Sequence, residues 1–352
     1  MPGRGMVGDR PRDRRRGRDR LRRGRGDGVR VMRIPFVKMH GLGNDYVFID
    51  GRDGIDIDSS NVVSISDRRE GVGGDGVVIL ENPVGVGADA RMRIFNADGS
   101  DGGVCGNGLR CLARWLQRDG IVPAGPIRVE TPAGVVEMTV GPTLEDDTVR
   151  VEVAMPAPRL AAGEIPARIP GVDAGAAVID RPATEVLPGV AFPSHTRLSL
   201  VSMGNPHAVL SLSDAESVDR DELDRMIREV GPAVERHSCF PERINVHLVV
   251  SEDGGGLRMS TWERGSGATR ACGTGACAAV VASVMSTGSR EACFGSEEDP
   301  WRVVDLPGGE LEIAWSGSEN DSVRQRGPAV ECFRGRVEIE PRSAAADQAR
   351  ST

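Results

Sequence analysis

The sequence predicts an α/β protein of two similar domains, each a sheet wrapped around a central helix, with a cleft between them. Three observations carry that expectation. Residues 104–111 read VCGNGLRC and residues 271–278 read ACGTGACA, and Cys-Gly-x-Gly occurs nowhere else. An aromatic residue stands ten positions before each cysteine, Phe95 before Cys105 and Trp262 before Cys272, across polar, glycine-rich spacers. Strand-like segments flank both turns, and each turn runs into a helix-forming stretch, the pattern of an internal duplication.

The elements follow in order. "IPFVKMHGLGNDYVFID" (34–50) reads as a strand, a glycine-rich turn and a second strand, and "VVIL" (77–80) and "RMRIF" (91–95) as further strands. After Cys105, Leu109, Leu112, Ala113 and Leu116 fall at i, i+3, i+4 and i+7, one apolar helix face. "IRVETPAGVVEMTVG" (127–141) alternates on both sides of Pro-Ala-Gly and predicts a hairpin, with "VRVEVAMP" (149–156) beside it. The proline-rich stretch 156–195 reads as an insertion or crossover. Strands resume at 198–203, 207–212, 244–250 and 257–263, with a helix over 219–237. "ACAAVVASVM" after Cys272 is apolar on nearly every side, as an enclosed helix is. The chain closes with strands near 303–315 and 329–340.

Length and composition bound the function. A chain of 352 residues suffices for two domains with a sizeable core, and no apolar run reaches membrane-spanning length. Residues 1–30 hold twelve Arg and four Asp, so the remainder is more acidic than the net charge of −8 implies. That body lacks the basic face of a nucleic-acid binder. The low-complexity residues 1–31 are expected to be a disordered tail, or the product of an over-long reading frame whose start is Met32. Their acidic residues argue against a transit peptide.

Seven cysteines, an odd number in a chain without an export signal, fit free thiols in a reducing cytoplasm. No Cys-x-x-Cys or His-x-x-x-His suggests a metal site. "GVGGDG" (71–76) matches G-x-G-x-x-G, but a strand follows it where dinucleotide binding needs a helix. Lys38 is the only lysine and lies in a predicted strand, which disfavours a pyridoxal-phosphate Schiff base.

A cysteine before Gly-x-Gly at a helix start gains two things. The positive end of the helix favours thiolate, and the glycines let backbone N–H groups approach a carboxylate. Two such turns facing across a cleft would hold one carboxylate between two sulfurs. That arrangement suits moving a proton from one face of an amino acid's α-carbon to the other, one thiolate acting as base and one thiol as acid.

Five motifs in order then make a resemblance specific. "KMHGLGNDYVFID", "FNADGS…CGNGLRC", "SMGNPHAV", "PERINV" and "ERGSGATRACGTGACAA" resemble the diaminopimelate epimerase family, and the likeness runs from Phe36 to about Glu340. The resemblance implies barrel-like, mostly antiparallel sheets and a last strand that returns to the first domain. The first domain is then 32–149 plus 330–341, carrying Cys105, and the second 150–329, carrying Cys272, with a disordered tail over 342–352. It implies that Cys105 and Cys272 are the acid/base thiols and that the backbone around Gly106, Asn107, Gly273 and Thr274 holds the reacting carboxylate. Asn44, Asn96, Asn205 and Asn245 would contact the rest of the substrate. Arg264 would pair with the far carboxylate and Glu263 with the ammonium, while His207 and Glu263 would tune the thiols. It further implies epimerisation of LL- to meso-diaminopimelate in lysine and peptidoglycan precursor synthesis, a small-molecule substrate with no cofactor, and a cytoplasmic homodimer that binds neither nucleic acid nor membrane.

Gly76 departs from the pattern, standing where many members carry a contacting glutamine. The remaining cysteines, Cys111, Cys239, Cys277, Cys293 and Cys332, are expected to be structural, as are His40, His195, His237 and His247, which show no clear partner. Competing readings are a proline or hydroxyproline racemase on the same two-thiol core, a nucleic-acid arm in residues 1–30, and a redox-sensitive pair of facing thiols.

Overall fold

The computed structural model describes residues 32–144, 147–212, 218–252, 255–288 and 300–340; the expected tails, 1–31 and 342–352, and Cys293 lie outside the described residues. The described chain opens with a hairpin of β1 (Met32–Gly41) and β2 (Asn44–Asp50). Leu42 and Gly43 turn it with φ of 58° and 79°, the two positive values of a type I′ turn. α1 (Ser59–Ser66) follows, capped by the Asp58 carboxylate, which accepts from the Asn61 amide at 3.0 Å. It carries the chain across to β3 (Gly76–Glu81), parallel to β2 as a crossover requires. β4 (Ala90–Asn96) pairs antiparallel with β3. α2 (Gly106–Arg118) then leaves the sheet, and β5 (Ile127–Thr131) returns parallel to β4. β6 (Gly134–Thr143) and β7 (Val149–Met155) extend the meander, and the expected hairpin turns at Gly134, where φ is 115°.

A connection containing β8 (Arg181–Pro182) and α3 (Ala183–Val186) leads into the same series again. β9 (Arg197–Ser202) and β10 (Pro206–Ser211) are antiparallel, α4 (Arg220–Glu235) crosses over, and β11 (Asn245–Ser251) returns parallel to β10. β12 (Leu257–Glu263) pairs with β11 and with the short β13 (Gly267–Thr269). α5 (Gly273–Thr287) leaves the sheet, and β14 (Arg302–Leu306) returns parallel to β12, ahead of β15 (Gly309–Ala314) and β16 (Val323–Ile339). The parallel pairs fall at the same two places in each half, which is the duplication expected from the two cysteine turns.

β16 joins the halves. Its residues 323–329 pair with β7 and residues 330–339 with β1, so β1 to β7 and β16 form a closed eight-stranded ring around α2. Arg324–Arg326 also pair with β15, which continues the sheet around α5. Leu109, Leu112 and Leu116 of α2 and Ala276 to Val281 of α5 are buried in one continuous apolar core. Truncating one such leucine to alanine would cost about 2–5 kcal/mol. No helix among the described residues is long and apolar enough to cross a membrane.

Two features refine the sequence expectation. The sequence gives no signal for α1, because Ser-Ser-Asn-Val-Val-Ser-Ile-Ser consists of poor helix formers; the Asp58 cap and the burial of Val62 and Ile65 hold it. Of the two readings of 156–195, the structure shows the crossover and not an appended insertion. Ile165, Ile169, Val178, Val186 and Leu187 pack into the second half's core beside Leu198, Leu210 and Leu248.

Candidate active site

Cys105 and Cys272 occupy the same position in the two halves. Each precedes the first turn of its helix in extended conformation, at φ −127°, ψ 118° and φ −120°, ψ 106°. Close packing favours glycine at the next residue, where a side chain would displace Gln325. A Cβ on Gly106 would lie 2.9 Å from Gln325 Oε1, and one on Gly273 would lie 2.8 Å from Gln325 Nε2. The Gln325 side chain, on β16, therefore sits between the two helix starts. Its Nε2 donates to the Gly273 carbonyl at 2.8 Å, and its Oε1 accepts from Arg110 Nη1 at 2.7 Å. Arg110, fully buried on α2, also donates to Asn107 Oδ1 and to the Pro328 carbonyl.

Twelve of the thirteen expected site residues line one cavity of about 1310 Å³: Asn44, Asn96, Cys105, Gly106, Asn107, Asn205, Asn245, Glu263, Arg264, Cys272, Gly273 and Thr274. His207 lies buried behind this wall and reaches it through Asn205. Several of these polar groups already hold one another. Asn44 donates to Asp75 Oδ2 at 2.7 Å and accepts from Asn107 Nδ2 at 3.1 Å. Asn96 donates to Ser100 Oγ at 2.9 Å. Asn245 donates to the Pro206 carbonyl and accepts from the Arg264 backbone N–H at 2.9 Å, which fixes the strand end carrying Glu263 and Arg264. The Arg264 guanidinium is exposed and bonds the Glu242 carbonyl at 3.1 Å.

Each sulfur has both an acceptor and a hydroxyl beside it. Cys105 Sγ lies 3.6 Å from Asn44 Oδ1 and 3.5 Å from Tyr46 Oη. Cys272 Sγ lies 3.6 Å from Thr274 Oγ1 and hydrogen-bonds the Glu263 carboxylate, which also accepts from Thr269 Oγ1 at 2.5 Å. Both thiols lie above the usual range, where the helix ends alone predict a lowering. Burial pushes Cys105 up, against the Gly108 and Asn107 amides and the Tyr46 hydroxyl. Burial and then the Glu263 carboxylate push Cys272 well above the usual thiol range. Burial likewise raises Glu263. Desolvation of a thiolate in this cavity thus works against the helix terminus.

His247 is not the isolated histidine expected. Its Nε2 lies 2.8 Å from His207 Nδ1, and Nδ1 lies 3.1 Å from Thr261 Oγ1. Burial lowers both imidazoles, His247 to about 3, so both are neutral near pH 7. The tautomers then follow from the acceptors. His207 Nε2–H donates to Asn205 Oδ1 at 2.9 Å, so its Nδ1 accepts from His247 and His247 Nδ1 accepts from Thr261. Asn205 Nδ2 donates to Thr274 Oγ1 at 3.3 Å, which leaves the Thr274 hydroxyl proton for Cys272. One directed hydrogen-bond chain runs from Thr261 to the Cys272 sulfur. Cys272 Sγ and ring nitrogens of His207 and His247 lie within 4.8 Å of one another, but every ring nitrogen is already engaged.

Two residues outside the expected set complete the picture. A Cβ at Gly76 would lie 2.0 Å from the Phe95 carbonyl oxygen and 3.2 Å from the Tyr46 ring, so this backbone has no room for a glutamine there. Lys38 is buried, and its ammonium is held 2.6 Å from Asp45 Oδ2 and by the Gly73 carbonyl.

Comparison with known proteins decides the family. The model of the family described as diaminopimelate epimerase matches residues 36–160 and 199–331. The chain belongs to the diaminopimelate epimerase family. It is an enzyme of the isomerase class, as the members of that family are. The diaminopimelate epimerase of Azotobacter vinelandii is 41% identical over 309 residues, covering 88% of this chain and all of that protein. That of Desulfitobacterium hafniense is 39% identical over 307 residues, covering 86% and 97%. Among solved structures, a hydroxyproline epimerase from Agrobacterium vitis superposes with a TM-score of 0.58 at 15% identity over 89% of this chain and 93% of that one. A Bacillus anthracis phenazine biosynthesis protein of the PhzF family gives 0.58 at 17% identity, over 88% and 100%. These two share the fold of the family's duplicated sheets.

Proposed function

We propose that the protein epimerises LL-diaminopimelate to meso-diaminopimelate without a cofactor, using Cys105 and Cys272 as paired base and acid. The observation that carries this reading is the placement of both sulfurs on one cavity wall system, each at the start of an enclosed helix. The α-carboxylate would lie against the N–H groups of Gly106–Asn107 and Gly273–Thr274, where both helix ends favour an anion. Glu263 would take the α-ammonium. That positive charge offsets the carboxylate that opposes a Cys272 thiolate, so bound substrate itself eases ionisation. One thiolate removes the α-proton while the opposite thiol protonates the other face. Arg264 would hold the far carboxylate, and Asn44, Asn96, Asn205 and Asn245 the remaining polar groups, supplying donors and acceptors without altering the charge balance. Lys38, buried and ion-paired to Asp45, has its ammonium committed, which supports a route without a Schiff base.

The reading extends to lysine and peptidoglycan precursor synthesis in the cytoplasm by a homodimer. The competing substrate is proline or hydroxyproline, favoured by the shared fold of the hydroxyproline epimerase; a monocarboxylate leaves Arg264 with nothing to hold. The test is reduced protein with LL-diaminopimelate in D₂O, followed by NMR. Deuterium entering one α-position together with the meso isomer is expected. Exchange with proline or hydroxyproline alone would overturn the substrate, and exchange with none of them the chemistry.

A further inference from the structure

The two thiols are built alike but not equally. Each has one group that accepts from S–H and one hydroxyl that donates to S⁻, so neither protonation state needs its neighbours to move. For Cys272 the acceptor is the Glu263 carboxylate, whose charge holds the thiol proton in place. For Cys105 it is the neutral Asn44 amide oxygen at 3.6 Å, and the donor is the Tyr46 hydroxyl at 3.5 Å. Tyr46 is the only tyrosine in the chain and is buried on β2. Its ring lies against Gly76, its parallel-strand partner, and Tyr46 itself lines the cavity.

We propose that Tyr46 stabilises the Cys105 thiolate, so that the empty site rests with Cys105 ionised first and the remaining proton on Cys272. This deepens the two-thiol reading above and rests on it. The other charged or titratable groups facing Cys105 leave the contrast standing. Asp75 is held by Asn44 and by Arg68, Arg110 and Cys111 on α2 interact with Cys105 through its charge, and Glu263 of β12 opposes ionisation of Cys105 without the hydrogen bond it makes to Cys272. In a turnover beginning from this state, the Cys105 thiolate takes the α-proton and Cys272 delivers its own to the opposite face. The enzyme is left as Cys105 thiol and Cys272 thiolate. It resets by losing the Cys105 proton to water and taking one from water at Cys272.

The test is substrate-free. Iodoacetamide alkylation is followed across pH at each cysteine by peptide mass spectrometry, in the full-length protein and its Tyr46→Phe variant. Cys105 is expected to react with a lower midpoint than Cys272. Removing one hydroxyl at nearly constant volume should raise the Cys105 midpoint by about one pH unit, roughly a tenfold loss of thiolate below it, and leave Cys272 unchanged. Cys272 reacting first in the unaltered protein, or an unmoved Cys105 midpoint in Tyr46→Phe, overturns the proposal. Neither result bears on the D₂O experiment, so failure of the asymmetry and failure of the two-thiol chemistry are separable.

Discussion

Arg110 and Gln325 meet through a 2.7 Å hydrogen bond in the interior, and that bond ties the start of one cysteine helix to the start of the other. Arg110 is fully buried, and the partners it has are an asparagine, this glutamine and a carbonyl. Gln325→Leu removes one of these and leaves a guanidinium under-satisfied. The expected loss is about 2–4 kcal/mol in urea unfolding, with kcat falling more than KM rises, because the sulfurs lose their common spacer. Unchanged stability would show that water repairs the bond.

Gly273→Ala tests the same contact from the other side. Alanine alone favours a helix by about 1 kcal/mol over glycine, yet here its Cβ would meet the Gln325 amide at 2.8 Å. The single variant should be less stable and less active. Pairing it with Gln325→Ala should restore part of the stability, and a double-mutant cycle without coupling would refute the clash.

Glu263→Gln keeps the shape and removes the charge beside Cys272. Cys272 alkylation near pH 8 should then rise about tenfold, one unit of thiol acidity. Epimerase turnover should fall, since the ammonium site is neutralised.

Acid should destabilise the fold through the buried histidine pair. In the unfolded chain each imidazole binds a proton near pH 6.5, whereas folded His247 does so only near 3. The unfolded state therefore holds more protons between these values. Stability is full above pH 6.5 and declines as pH falls towards 3, by about 1.4 kcal/mol per unit for each such imidazole. His247→Gln should flatten the decline measured by urea unfolding from pH 7 to 5; an unaltered slope would place the effect elsewhere.

The parts of the site visible in the sequence were those carried by local repetition. The Cys-Gly-x-Gly turns announce helix starts, and the family motifs point to the asparagines, Glu263 and Arg264. What stayed hidden depends on contacts between distant segments. Nothing around Gln325 marks it as a polar residue at the junction of two helices, because it sits in an alternating strand where polar positions ordinarily face solvent. Arg110 interrupts no apolar stripe, so its burial was invisible. Tyr46 looks like any strand aromatic until Gly76 is seen lying beside its ring. His247 gained its role only from the parallel pairing of β10 with β11, which sets it beside the neighbouring strand's imidazole. The rise of both thiols is hidden from the sequence for a related reason: the helix end is a local feature, whereas burial is a property of the whole cavity.

The strand that closes the first ring is made last. β1 finds its partner in β16 roughly three hundred residues later, with Met32 opposite Ile339. During synthesis the first half must therefore emerge with the free edges of β1 and β7 exposed, and it cannot shut around α2 until the second half has left the ribosome. The first half is for that reason not an independent folding unit. A nascent chain arrested before residue 323 would present long, unprotected strand edges, the kind of surface on which chains of the same sequence pair with one another and which chaperones cover.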